Sequence, residues 1–378
     1  MMGIFSIVTT EILPIGLLNP IASGFNISEG TAGWMMTVPG IVAAIAAPAV
    51  TVATRWLDRR LMLAALMVLL ALADFLSALA PTYSVMLIAR VLVGITIGGF
   101  WSIGAGLAGR LVKPGQVSTA TAVIFAAVPM GSVLGVPAGT LIGDLAGWRA
   151  PFIVMGVLTL GVLAALLATL PRLPAQQVTY LRVLRVLLRN TNIRIALIAT
   201  SLIVIAHFGT YTYVTPFLEQ ATHLDPGLVS AFLLTYGAAG IAGNFIAGRT
   251  IPLSLPATFI TAAAMLAAAT LLLPIIGTST IGALGLLIVW GLAYGAIPAS
   301  SQSWFSRSAP QAQEAATVLF TSSFQATFAI GALCGGVIVD ATSPSTVMIV
   351  GAAVAALMAT TLLVLTGNTN PRRGTTCG

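Results

Sequence analysis

Charge is scarce in this sequence. Only 16 Lys+Arg and 9 Asp+Glu occur among 378 residues, so 7% of the chain is charged, against about a quarter of an ordinary soluble domain. Hydrophobic residues make up 58%, and the mean hydropathy is +1.04. A soluble globule could not cover its surface with so few charges, and a disordered chain needs the opposite composition. Cysteine is nearly absent. Cys334 lies in an apolar stretch and Cys377 next to the last residue, which excludes a disulfide framework and a cysteine metal site. Basic residues are too dispersed for a nucleic-acid footprint. No Walker sequence is present, so ATP is not the energy source, and no cofactor or metal is expected. The apolar segment opening at Gly3 has no basic stretch before it and no cleavage site, and reads as a retained helix. Long, non-alternating apolar runs also rule out a porin-like barrel.

What remains is an all-α integral membrane protein. Runs bounded by Gly, Pro and charge predict twelve spans: 3–24, 31–53, 61–80, 85–107, 117–143, 150–171, 194–216, 227–248, 256–276, 280–300, 313–338 and 345–366. Of the 16 Lys and Arg, Arg149 alone falls in a loop opposite the N-terminus, and Arg90 lies within a span. All the others fall on the N-terminal side, which places both termini in the cytoplasm by the positive-inside rule. The longest connection, 172–193, separates an N-terminal bundle (1–171) from a C-terminal bundle with a short tail (194–378). Arg182, Arg185 and Arg189 within it recur at helical spacing among apolar residues, as in a short interfacial helix.

The two bundles echo each other at an offset near 200 residues. Gly131-Ser-Val-Leu-Gly135 matches Gly331-Ala-Leu-Cys-Gly335, each run approaching an acid, Asp144 and Asp340. Gly94-xxx-Gly98 matches Gly291-xxx-Gly295, and the Arg55 to Arg60 loop has a reduced partner in Gly248-Arg249. A duplicated six-helix unit with a cytoplasmic link fits a rocking transporter whose substrate sits between the halves at mid-membrane. Small residues at these spacings also serve plain helix packing.

Ionisable groups inside spans are costly, and are functional candidates for that reason. Glu11 lies eight residues into the first span, roughly 12 Å deep. It is a candidate proton or substrate carrier, the alternative being a carboxylate permanently paired with a neighbouring helix. Arg90 keeps its charge at any working pH, so it can hold an anion or bias a nearby acid but cannot carry the proton. Asp74, at similar depth, is a candidate partner for coupling or for a structural pair. His207 is the one histidine within a span, and is either a coupling group or a packed, hydrogen-bonded ring. His223, with Glu219 and Asp225, sits in an irregular loop and is not read as a metal site. Phe100, Trp101, Phe208, Tyr211, Tyr213 and Trp304 offer stacking surface. Asn244, Ser322, Gln325 and Thr327 offer polar partners for a sugar-like or nucleoside-like solute in a dry site. Interhelical hydrogen bonding and an interfacial aromatic belt are the alternatives. Gly104-Ala-Gly106-Leu-Ala-Gly109 spells a dinucleotide fingerprint, but it ends a span with no strand before it.

Several of these segments resemble the major facilitator superfamily, in its twelve-helix drug:proton antiporter branch. Thr54-Arg55-Trp56-Leu57-Asp58-Arg59-Arg60-Leu61 is similar to a contracted form of the family's Gly-x-Leu-Ala-Asp-Arg-x-Gly-Arg-Arg loop signature. That resemblance implies gating roles for Arg55, Asp58, Arg59 and Arg60. Arg90-xxx-Gly94 resembles the intramembrane Arg signature, which implies that Arg90 affects proton coupling. Gly131, Gly135, Pro137 and Gly139 resemble the fifth-helix signature of exporters, implying a part in gating. Thr10-Glu11 through Pro20, Gly98-Gly-Phe-Trp101, Gly147-Trp-Arg149 and Tyr211 through Glu219 resemble bacterial sugar and purine-ribonucleoside efflux transporters. Against that group the N-terminus is short, which leaves room for a start upstream of Met1.

The resemblance implies a monomeric, proton-coupled antiporter that exports a small solute (a purine ribonucleoside, a sugar or an amphipathic drug) by alternating access across the bacterial inner membrane. A facilitator or importer of a polar metabolite, with Glu11 only binding solute, is the competing reading. A membrane enzyme lacks a nucleophile–base pair in the sequence.

Overall fold

The computed structural model describes residues 1–53, 57–111, 127–171, 173 and 186–367. Arg55, the first part of the fifth predicted span, most of the predicted interfacial helix and the C-terminal tail lie outside the described residues. Within them all regular structure is helical. The elements are α1 (Met2–Gly16), α2 (Leu18–Phe25), α3 (Glu29–Ala32), α4 (Trp34–Ala53), α5 (Arg59–Ala78), α6 (Tyr83–Leu111), α7 (Ala127–Ala146) and α8 (Ala150–Thr169), then α9 (Thr191–Tyr211), α10 (Val214–Gln220), α11 (Pro226–Thr250), α12 (Leu255–Ile276), α13 (Thr280–Ser308), α14 (Gln313–Ala341) and α15 (Pro344–Gly367).

Among the described residues ten helical segments are long and apolar enough to cross a membrane, and the bent pair α1–α2 makes an eleventh. α7, whose apolar stretch Val133–Ala146 is shorter, occupies the place of the fifth predicted span. Side chains such as Ile45, Leu72, Val157, Phe245 and Val337 are exposed on the outside of the bundle, as a surface solvated by lipid requires. Ends are fixed by short polar caps: Asp58, Asn190, Ser254 and Ser279 accept from backbone N–H groups two or three residues ahead. Gly147, at φ +83°, turns the chain between α7 and α8 in the left-handed region that favours glycine.

Two predicted spans are not continuous helices. The first breaks at Leu17, where α1 and α2 meet at 66°; the seventh breaks at Thr212–Tyr213, between α9 and α10. Proline explains both. Pro20 and Pro216 have no N–H for the carbonyls of Gly16 and Thr212 four residues back, so neither ladder continues through them. The local turns tighten instead: Leu17 N–H donates to Pro14 O at 3.1 Å and Tyr213 N–H to Thr210 O at 3.0 Å. The fourth and tenth spans run past their predicted ends, to Leu111 and Ser308.

Helix neighbours in the first six spans recur in the last six. α4 packs on α6 as α11 packs on α13; α1 on α7 as α9 on α14; α5 on α8 as α12 on α15. Glycines set the closest approaches. A Cβ on Gly94 would lie 2.6 Å from Pro39 O, and one on Gly98 would lie 2.7 Å from Ala43 O; Gly291 and Gly295 meet Tyr236 O and Gly240 O in the same way. Gly131, Gly135 and Gly139 of α7 seat Val8, Thr9 and Leu13 of α1, while Gly331 and Gly335 of α14 seat α9 at Ile205 and Gly209. The two sets of spans meet along α4–α14 and α7–α11.

Candidate functional site

Prolines build the centre of the site. Pro14 in α1 and Pro39 in α4 each leave a carbonyl without its helical donor, those of Thr10 and Met35. Both are answered by one side chain. The fully buried Arg90 of α6 donates from Nε to Met35 O at 3.0 Å. It donates from Nη1 and Nη2 to Thr10 O at 3.0 and 3.1 Å, and from Nη2 to Glu11 O at 2.8 Å. The guanidinium thereby ties α1, α4 and α6 together, and Gly94 one turn further along α6 admits the α4 backbone beside it.

Arg90 makes no ion pair with Asp74. The link between them is indirect: Thr10 accepts from Arg90 through its carbonyl and donates from Oγ1 to Asp74 Oδ2 at 3.3 Å. Asp74 Oδ1 is buried without a hydrogen-bond partner. Glu11 is likewise not locked to a cation. Its Oε1 accepts from Gln325 Nε2 of α14 at 2.9 Å, and this bond crosses from one set of six spans to the other. Gln325 Oε1 is buried with no partner.

On the α14 side lies an aromatic box. His207 stacks on Tyr294 (centroids 3.7 Å apart, 10° between planes) and on Tyr211 (5.2 Å, 18°). Trp290 Nε1 donates to His207 Nδ1 at 3.1 Å. Indole nitrogen only donates, so Nδ1 carries a lone pair and the neutral ring has its proton on Nε2. That nitrogen is buried without a partner, as is the hydroxyl of Tyr236, which stacks on Tyr211 at 4.6 Å. Phe208 packs on Phe328 (3.9 Å), Phe324 and Tyr294. Tyr294 also lies within electrostatic reach of Glu11, which joins the box to the carboxylate.

Glu11, Arg90, Asp74, Gln325, His207, Phe208 and Tyr211 are thus gathered across the middle of the bundle. Trp304 is not among them; it packs on Phe259 of α12 inside the second set of helices. Asn244 lies where α11 crosses Gly295 of α13. Phe100 is buried beside Gly3 and Trp101 is half-buried, both in the C-terminal half of α6. Tyr213 is fully buried and donates to Ala332 O at 2.9 Å, so it braces α14 instead of offering a surface.

Asp58 caps α5 through Arg60 N–H and also accepts from Leu173 N–H at 3.1 Å, while Arg60 donates to Leu167 O. Arg59 reaches Met62 Sδ at 3.6 Å. Those contacts hold the start of the third span to the end of the sixth. Tyr294, Trp290 and Tyr236 escaped the sequence reading. Two of them carry a signal that could have found them: His207-x-x-x-Tyr211 and Trp290-x-x-x-Tyr294 are aromatic pairs one turn apart, each presenting one helical face.

At the end of the bundle away from the N-terminus, the two sets of helices are joined by polar contacts. Asn19 donates to Glu219, Gln220 to Glu29, and Ser28 Oγ and Gly30 N–H to Asp340 at 2.7 and 2.8 Å; nearer the middle, one turn from Glu11, Thr215 Oγ1 donates to Ile15 O at 3.0 Å. Beyond Glu11–Gln325 towards the N-terminal end, no further hydrogen bond of this kind occurs among the described residues.

A family model described as Major Facilitator Superfamily matches residues 1–321. The transcription regulatory protein OpdE of Pseudomonas aeruginosa is 32% identical over 378 residues, spanning 98% of this chain and 93% of its own length. The purine ribonucleoside efflux pump NepI of Escherichia coli is 33% identical over 341 residues, spanning 88% of this chain and 84% of its own. Among solved structures, the nucleoside transporter NupG superposes with a TM-score of 0.73 at 17% identity, over 96% of this chain and 98% of that one.

Proposed function

Since the chain belongs to the major facilitator superfamily, a family of multi-pass membrane transporters, we propose that it is a proton-coupled antiporter exporting a small polar solute by alternating access. The solute class is purine ribonucleoside or sugar, the membrane is the bacterial inner membrane, and both termini are cytoplasmic. Residues 1–171 and 194–378 act as two rocking halves joined by the 172–193 link.

The observation that carries this reading is the Glu11–Gln325 bond. It sets a buried carboxyl at a polar link between the halves at mid-bundle, one helical turn from the buried Thr215–Ile15 bond. Arg90 gives its hydrogen bonds to carbonyls and makes no ion pair with Glu11 or Asp74, acting on both through its charge alone. Either acid can therefore take up and release a proton as its side of the bundle wets and dries. The aromatic box supplies stacking faces, and His207 Nε2–H with Tyr236 OH supplies unspent polar groups, the combination a flat, hydrogen-bonding ring system needs. In this reading the polar contacts at the end away from the N-terminus close the outer side, and the site opens to the cytoplasm, where an exported solute loads. In this reading Phe100, Trp101, Asn244 and Trp304 support the helices around the cavity, and Asp58, Arg59, Arg60 and the glycines of α7 act in gating.

Purified protein in liposomes with an imposed proton gradient tests it. Addition of inosine or adenosine is expected to collapse the gradient, and Glu11→Gln to abolish that response while still binding solute. Solute that crosses equally well without a gradient, in the wild type and in the variant, would make the protein a facilitator.

A further inference from the structure

Glu11 has one hydrogen bond to a residue that could make two. Gln325 offers it an N–H, which is used, and a carbonyl oxygen, Oε1, which is buried and without a partner. A carboxylate cannot answer that oxygen, because it has no proton to donate. A carboxylic acid can. With a proton on Oε2, the acid group and the amide can close a ring of two hydrogen bonds, Nε2–H to Oε1 one way and O–H to Gln325 Oε1 the other.

We infer that Gln325 is a positioning residue that reads the protonation state of Glu11, forming a one-bond link across the halves when Glu11 is charged and a two-bond clasp when it is neutral. The inference rests on the proposed role of Glu11 as proton carrier and adds the device by which the proton moves the halves. The proton comes from water on whichever side is open, rests on Oε2 and returns to water on the other side; only an O–H bond forms and breaks.

The direction fits export. The clasp exists only where α1 and α14 meet, and they meet here with the outer contacts made. Proton uptake from outside therefore favours outer closure. Loss of the proton to the cytoplasm leaves a buried amide oxygen facing an anion, which frees Gln325 for a solute or for opening.

The other groups acting on Glu11 are placed so that this pair decides. Arg90 of α6 bonds its backbone carbonyl, not its carboxylate. Asp74 of α5 is reached only through Thr10. Tyr294 of α13 lies in electrostatic reach with its ring stacked on His207, and Glu219 of α10 is held by Asn19 at the outer end.

The test follows outer closure against pH in nanodiscs. Cys334→Ala and Cys377→Ala remove the native thiols, and Thr82→Cys with Thr278→Cys place spin labels on exposed loops of the two halves. In the otherwise unaltered chain the outer-closed distance is expected to gain population from pH 8.5 to 5.5. Glu11→Gln, whose amide can make both bonds at any pH, is expected to stay closed throughout. Gln325→Met, of similar size, removes both bonds at pH 5.5 and one at pH 8.5, so the closed-to-open ratio is expected to fall further at pH 5.5, the two losses differing roughly 3- to 10-fold, the worth of the added bond. Gln325→Asn, which withdraws the amide by one methylene, must do the same. A loss at pH 8.5 equal to or larger than that at 5.5 overturns the clasp while leaving Glu11 as carrier. Retention of the full pH response in Glu11→Gln overturns the carrier itself.

Discussion

Arg90 should be worth less once proline is removed from α4. Pro39 deprives Met35 O of its helical donor, and Arg90 Nε supplies one at 3.0 Å. Pro39→Ala restores the N–H four residues ahead of Met35, so its carbonyl stays satisfied whether or not Arg90 is present. In the native background, Arg90→Met leaves Met35 O unpaired in a site where the guanidinium is fully buried. A buried carbonyl without a donor costs about 1–3 kcal/mol, while interhelical side-chain bonds in membranes average about 0.6 and reach about 1.7 kcal/mol. A charged donor on a carbonyl with no alternative belongs near the top of the second range. The double-mutant cycle should therefore give a coupling near 1.4 kcal/mol, about a factor of ten in the unfolding equilibrium. Unfolding in mixed detergent micelles, followed by tryptophan fluorescence, measures all four corners. Trp290 and Trp148 are buried within the two sets of helices and report on both. Additive costs, within about 0.3 kcal/mol, would refute the claim that Arg90 is held there to answer proline-freed carbonyls.

Asp340→Ala removes the acceptor for Ser28 Oγ and Gly30 N–H, so labelling of a cysteine introduced in the cavity by a membrane-impermeant thiol reagent added outside should rise several-fold. Gly98→Val places atoms 2.7 Å from Ala43 O and Ala47 N; transport in liposomes should fall at least tenfold, and Gly295→Val, its counterpart against Gly240, should do the same. His207→Phe keeps the stack on Tyr294 and loses the Trp290 bond and the Nε2–H. Nucleoside affinity by calorimetry should weaken roughly 3- to 10-fold, the worth of one hydrogen bond, with proton flux per solute unchanged.

Composition and charge placement made the helical membrane fold legible, because no other arrangement of so apolar a chain satisfies its backbone. The glycine runs at an offset near 200 residues marked the repeat, and they are the contacts at which α7 meets α1 and α14 meets α9. The helix breaks were also written in the sequence: Pro20 and Pro216 lie 196 positions apart. They were read as continuous spans because hydropathy is blind to a missing N–H. The centre of the site was half legible. Glu11, Asp74 and Arg90 stand out as charges in apolar runs, but their pairing does not follow from depth alone. Asp74 and Arg90 lie at similar depth and make no ion pair, since two carbonyls freed by prolines on other helices claim the guanidinium first. The aromatic box was missed in part because Trp290, Tyr294 and Tyr236 come from the tenth and eighth spans, and no local pattern says that these spans face His207.

The strength of the contacts at the end away from the N-terminus bears on the proposed cycle. Each pairs a carboxylate with a neutral amide, hydroxyl or backbone N–H, and none among the described residues pairs it with Lys or Arg. Bonds of this kind contribute about 0.5–1.5 kcal/mol apiece, or up to about 3 where the charge is well desolvated. A gate that turns over must be opened by what the ligands supply, and moving a two-state equilibrium from 1:99 to 99:1 takes about 5.5 kcal/mol of differential binding. A handful of half-exposed contacts lies within that reach, whereas a ring of buried salt bridges at about 3–5 kcal/mol to break would not. The same limit applies at mid-bundle, where one hydrogen bond from Gln325 holds Glu11. On the proposed alternating-access reading, closure at the end away from the N-terminus is therefore shallow, and the hydrogen bonds of a proton and a solute together would shift it.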